Sequence, residues 1–164
     1  MLLVMWREIK MPVKATTEKQ IWDYLYKEIQ NDYGVAGLMG NLYAESRLYS
    51  TNLQDSYEVI LGMTGMQYTT GVNVGTYKNF VNDSAGYGLA QWTYHTRKKA
   101  LLEFAQKKKV SIGSLSMQLE FLIDELKTSF PGVYKALTTA KSVEEASNVV
   151  ILEFEKPKDT SVYA

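Results

Sequence analysis

Apolar residues Ile21, Trp22, Leu25 and Ile29 recur at helical spacing behind "TEKQ" (17–20), where Thr17 and Gln20 fit the reciprocal bonds of a capping box. The pattern predicts a first helix that ends near Gly34. Val35, Leu38 and Leu42 then repeat at intervals of three and four, and the series reaches Glu45 three residues later. A second helix is therefore predicted from about Val35 to Ser46, with a carboxylate on the line of its apolar stripe. From Ser50 to Gly86 the periodicity loosens into a Gly-, Thr- and Asn-rich stretch, which predicts loops, short strands or a short helix after Thr64. Regular spacing returns at 94–109, with Leu101, Phe104 and Ala105 on one face, and again at Leu115, Leu119, Leu122 and Leu126. Pro131 and Gly132 punctuate before a short segment around Tyr134 and Leu137. A second capping box, "SVEE" (142–145), opens a last helix through Ala146, Val149, Val150 and Phe154 that stops before Pro157.

A chain of 164 residues, 46% of them hydrophobic, supports one compact and mainly helical domain. Its 18 basic and 18 acidic side chains cancel, so no bulk charge draws it to nucleic acid, and no ordered nucleic-acid signature is present. The basic runs "RKK" (97–99) and "KKK" (107–109) read as the solvated face of a helix. The opening "MLLVMW" is too short to span a membrane, and Arg7 follows it instead of preceding it, so neither a signal peptide nor membrane insertion is expected. The closing "KPKDTSVYA" looks open-ended, as though a longer protein continued past it.

Composition narrows the chemistry. Without cysteine there is no disulfide and no thiol nucleophile, and a lone histidine, His95, does not furnish the imidazoles of typical catalytic zinc sites. A Ser-His-Asp triad would have to use His95, which reads as a surface or helix-start residue. No metal or cofactor is expected, and carboxylate chemistry remains. A carboxylate on an apolar helix face loses hydration of its charged form, which raises its pKa toward the range a general acid needs. Glu45 fits that description, or it stands at the edge of the stripe and points to water. In "SAGYGLAQW" (84–92), Gly86 and Gly88 permit close backbone approach, Gln91 offers an amide and Trp92 a flat apolar face, a combination suited to sugars. The same stretch also fits a tight turn with Trp92 in the core.

Together, "AESRL" (44–48), "AGYGLAQW" (85–92) and "FEKP" (154–157) resemble the phage tail lysozyme family over about residues 20–157. The "ES … GxGLxQ" arrangement is similar to the wider lysozyme and lytic transglycosylase superfamily. The resemblance implies a mainly α fold of the α+β lysozyme-like kind, with a glycan-binding cleft and an irregular loop or small β region at about 50–86. It implies Glu45 as the acid, Ser46 as a supporting hydroxyl, and Gly86 to Trp92 as the substrate wall, with Tyr87, Gln91 and Trp92 binding glycan. The activity so implied is cleavage of β-1,4 bonds in bacterial peptidoglycan. A second carboxylate is expected among Asp55, Glu58 and Asp83, unless the enzyme is a transglycosylase that closes an anhydro-muramic ring. Residues 1–164 are expected to form a single catalytic domain, the N-terminal part of a longer lysin with wall-binding or tail domains beside it. Release through a lysing membrane, or carriage on a virion, fits the lack of a signal peptide. Two rival readings are a catalytically idle wall-binding module and a stem-peptide peptidase, the latter disfavoured by the missing cysteine and histidine cluster.

Overall fold

A computed structural model of the protein describes residues 14–155. The "MLLVMW" run and the "KPKDTSVYA" end lie outside the described residues. Eight α-helices follow one another: α1 (Ala15–Ile29), α2 (Asp32–Ser46), α3 (Asp55–Leu61), α4 (Gly65–Val74), α5 (His95–Lys108), α6 (Leu115–Ser129), α7 (Pro131–Thr139) and α8 (Val143–Val149), and a π-helical turn, Val150–Glu155, closes the series. The fold is mainly α and lysozyme-like. In place of the small β region, the described residues hold only two isolated bridges, Leu53 with Tyr87 and Tyr87 with Trp92.

Helix α1 buries Ile21, Leu25 and Ile29 as its spacing predicts. It starts at Ala15, ahead of Thr17, so the expected capping box lies inside the helix and Lys14 caps it without a side-chain bond. The break from α1 to α2 falls at Gln30 and Asn31, not at Gly34. Gln30 is left-handed at φ 54°, and the Asn31 side chain accepts from the amides of Tyr33 and Gly34 while donating to the carbonyls of Thr138 and Ala140. Asn31 therefore caps α2 and ties its start to α7.

Helix α2 is the hub of the fold, packed on α1, α7, α8 and the π turn. Val35, Leu38 and Leu42 are fully buried along it. Gly34 lies where α2 crosses α7, and a Cβ there would run into the carbonyl oxygen of Leu137. At the other end Arg47 and Leu48, at φ 53° and 65°, stop the helix and turn the chain away. Thr64 and Gln67 form a complete capping box, which accounts for a short helix after Thr64. Pro131 opens α7 within its first turn. Ser142 caps α8 by accepting from the Glu145 amide, but the Glu145 carboxylate reaches the amide of Lys141, one residue before the expected partner. The predicted last helix does reach Phe154, with its final turn widened into π geometry.

The close approach at Gly34 yields a stability test. Gly34→Ala should lower unfolding free energy by about 1–3 kcal/mol through overpacking against α7, read as a shift in the urea midpoint with an unchanged slope.

Candidate active site

The loop after α2 and the turn before α5 are joined by main-chain bonds: the Gln54 amide donates to Gly86, the Gly88 amide to Asn52, and Tyr87 and Trp92 exchange both of their bonds. Side chains finish the joint. The Gly86 amide donates to Gln54 Oε1, and Gln91 Nε2 donates to the carbonyls of Asn52 and Gly88, each at 3.0 Å. Gly88 takes φ 79° and lies against the amide of Gln118, where a Cβ would come within 2.7 Å of Oε1. Gln118, fully buried on α6, accepts from the Leu89 amide and donates to the carbonyls of Ser50 and Ile112. One satisfied side chain thus clamps three loops.

These loops, the end of α2 and the π turn enclose a polar cleft of about 610 Å³ lined by Glu45, Asn52, Gln54, Asp55, Ser56, Gln91, Thr93 and Glu155. Glu45 stands beside the buried line of Leu38, Leu42 and Ser46 on α2, at the edge of the stripe. Its side chain reaches solvent at the cleft mouth, yet the surrounding walls desolvate it enough to raise its pKa above the usual carboxyl value. Asp55 shares the cleft and occupies the first turn of α3.

Glu155, on the π turn, is the cleft carboxyl that periodicity does not flag, although it lies within "FEKP"; Asn52, Gln54, Ser56 and Thr93 also line the cleft without a signal in the sequence. It is half-buried, and its Oε1 is fully enclosed with no hydrogen-bond partner among the described residues. Its pKa is pushed up to about 8, first by burial and then by the charge of Glu45, with Arg97 opposing and Glu125 adding. Arg97 compensates little because its guanidinium is engaged by Glu125, at 2.5 and 2.9 Å.

Several expected site residues lie elsewhere. Ser46 is buried and donates to the Leu42 carbonyl inside its own helix. Tyr87 is fully buried, its hydroxyl bonded to Thr69 and its ring against Tyr68 and Phe80. Trp92 is equally buried, donating from Nε1 to Glu125 at 2.9 Å and packing edge-on to Phe121. Neither aromatic forms a substrate wall, since both fill the core beneath it. Gln91 does line the cleft, but both of its amide hydrogens serve the turn, which leaves only its oxygen to accept from a ligand. Glu58 accepts from the Gly65 amide and borders a separate hollow with Tyr49, Thr51 and Met66. Asp83 is locked in a buried ion pair with Lys98 at 2.5 Å and also accepts from Tyr68, Tyr77 and the Ala85 amide. Nor is "RKK" a solvated face: Arg97 and Lys98 turn inward to carboxylates, and only Lys99 stays exposed. His95 opens α5 at the surface.

A helical domain whose polar cleft holds a partly desolvated glutamate and further carboxyls has the build of a lysozyme-like lytic enzyme. The chain belongs to the phage tail lysozyme family, whose model matches residues 16–163. Membership implies a glycosidase or related lytic enzyme directed at peptidoglycan. No curated protein and no solved structure matches it. Among the described residues no helix is long and apolar enough to cross a membrane, and no group of side chains could hold a metal ion.

Two outcomes follow from the buried groups. Asp83→Asn should cost about 3–5 kcal/mol by leaving the Lys98 ammonium unpaired in the core, a loss measurable by denaturant titration and one that marks Asp83 as structural. For Glu155, the folded chain holds its proton to about pH 8 while the unfolded chain releases it near the ordinary 4.5. The folded state therefore binds more protons between these values, and the contribution of Glu155 to stability falls as pH rises through that window. Unfolding curves at pH 5 and pH 8 should show the decline in the wild type and a smaller one in Glu155→Gln.

Proposed function

We propose that the cleft hydrolyses the β-1,4 glycosidic bonds of bacterial peptidoglycan, with Glu45 as general acid. The observation that supports this reading is the position of Glu45: at the end of the central helix, facing a polar cleft large enough for sugar rings, with burial raising its pKa. In its protonated form it donates to the glycosidic oxygen as the bond to the anomeric carbon breaks. The positive charge that develops there needs a carboxylate, and Asp55 is the one of the three expected partners that shares the cleft. Water then adds to the anomeric carbon and gives up a proton, so that two hydroxyls replace one ether. In this reading the chain is the catalytic unit of a lysin that is carried on a virion or released at lysis, beside wall-binding or tail modules.

Glu45→Gln should retain the fold and lose at least about 10²-fold in glycan cleavage, the size expected for removing a general acid. The assay is clearing of a purified wall suspension, with mass spectrometry of the sugar ends. Reducing ends, together with a comparable loss in Asp55→Asn, are the expected products of hydrolysis. Anhydro-muramic ends from an active Asp55→Asn would make the enzyme a transglycosylase, and full activity in Glu45→Gln would remove the acid from this site.

A further inference from the structure

The cleft contains a carboxyl that the reaction as written does not use. Glu155 borders the same 610 Å³ space as Glu45. One of its oxygens is enclosed and unbonded among the described residues, whereas two other buried carboxylates of the fold are fully engaged, Glu125 by Arg97 and Trp92 and Asp83 by Lys98 and two tyrosines. Among the described residues the structural carboxylates of this core are paired, whereas Oε1 of Glu155 is not. A bare buried oxygen is costly when the group is charged, so the site favours the acid form. The backbone that presents it is also unusual. Val150 and Phe154 anchor the turn in the core, and the π register between them swings Glu155 to the cleft, a local distortion of the kind that accompanies functional sites.

We propose that Glu155 shares the catalytic proton with Glu45 and is a positioning carboxyl that helps keep that proton in the cleft. The inference rests on Glu45 being the acid. Two carboxyls that border one cleft and feel each other's charge lose their protons in two separate steps that belong to the pair. Between those steps a single proton occupies one or the other. When it resides on Glu45, the negative Glu155 opposes its loss to solvent; when it resides on Glu155, Glu45 is the charged partner. The proton leaves Glu45 for the glycosidic oxygen as the bond to the anomeric carbon breaks, and the water that adds there supplies the proton that restores the pair. The charged groups acting on Glu155 are Glu45 from α2, Arg97 from α5 and Glu125 from α6. The last two are bound to each other, which leaves Glu45 as the cleft partner.

The test is the pH profile of wall clearing by the wild type, Glu155→Gln and Glu155→Asp, with a carbon-13 titration of the glutamate carboxyls. In the wild type the alkaline limb should lie near the Glu155 titration, about pH 8. Glu155→Gln should move that limb to the acid side by about one pH unit or more, since Glu45 then titrates alone. Glu155→Asp should bring it part of the way back. In Glu45→Gln the Glu155 resonance should titrate at lower pH, a readout that needs neither activity nor replacement of Glu155. An unmoved limb in a folded Glu155→Gln, or a Glu155 titration indifferent to Glu45→Gln, would overturn the proposal. Coupled titration with an active Glu45→Gln would instead dismiss Glu45 as the acid while leaving the pair intact, so the two failures are distinguishable.

Discussion

The ammonium of Lys98 organises the part of the molecule that has no regular scaffold. Between α2 and α5 the chain runs through two short helices and several turns without a sheet, so many of its polar groups find no partner in a ladder. Lys98, fully buried, donates to Asp83, to the Ala85 carbonyl and to the Tyr68 hydroxyl, and lies over the Phe80 ring at 4.5 Å. Burial alone lowers its pKa, and Asp83 opposes the change. All three of its hydrogens are used, the condition under which a buried ion is tolerated. That cluster fixes the segment entering the Gly86–Gly88 turn, and Gln118 fixes the segment leaving it. The floor of the cleft is the result.

Carboxyls of one chemistry thereby acquire different tasks. Glu125 is a structural anion: it holds the Trp92 indole and the Arg97 fork, and Arg97 in turn covers the ring of Phe154 at 4.6 Å. The same chain of contacts seats the π turn one residue before Glu155, so the carboxylate that anchors this packing also helps to position Glu155. Asp83 has the opposite fate from the one its place before a glycine-rich stretch suggests, because a lysine fifteen residues on reaches back to it. Distance along the chain says little about such pairs; the buried cation decides them.

This is also where the sequence was and was not legible. Helices with a one-sided apolar stripe were readable, since Ile21, Leu25, Leu38, Leu42, Leu119, Leu122 and Leu126 meet the core at the predicted spacing. Helix boundaries were readable where a side chain caps, as at Thr64 and Ser142, and misread at Thr17, where the helix begins without one. Gly34 looked like a stop but is a contact, because a missing side chain carries the same letter for either use. Glu45 stands out through its register on α2 and through the family resemblance, and it lies at the edge of the stripe, facing the cleft. Glu155 is not legible from periodicity although it lies within "FEKP", since a π turn shifts the register and periodicity then misplaces the side chain. Lys98 and Gln118 were hidden for another reason: both sit on helical faces with mixed neighbours, and only their partners on distant loops show that they point inward.

The largest departure concerns the aromatics. Tyr87 and Trp92 follow a tight turn and look suited to stacking on sugars, yet both bury a flat face in the core and satisfy their one polar atom there, Tyr87 with Thr69 and Trp92 with Glu125. The surface left for a ligand consists of the amides of Asn52, Gln54 and Gln91, the hydroxyls of Ser56 and Thr93, and three carboxyls. Such a lining recognises its ligand by hydrogen bonds, and hydrogen bonds are worth most where their geometry is fixed beforehand. The amide hydrogens of Gln91 are committed to Asn52 and Gly88, and Gln54 is committed to Gly86 and Ser56. Their remaining polar atoms are therefore held in place before any ligand arrives. The buried aromatics serve the cleft from beneath, by making rigid the turn that carries its hydrogen-bonding groups.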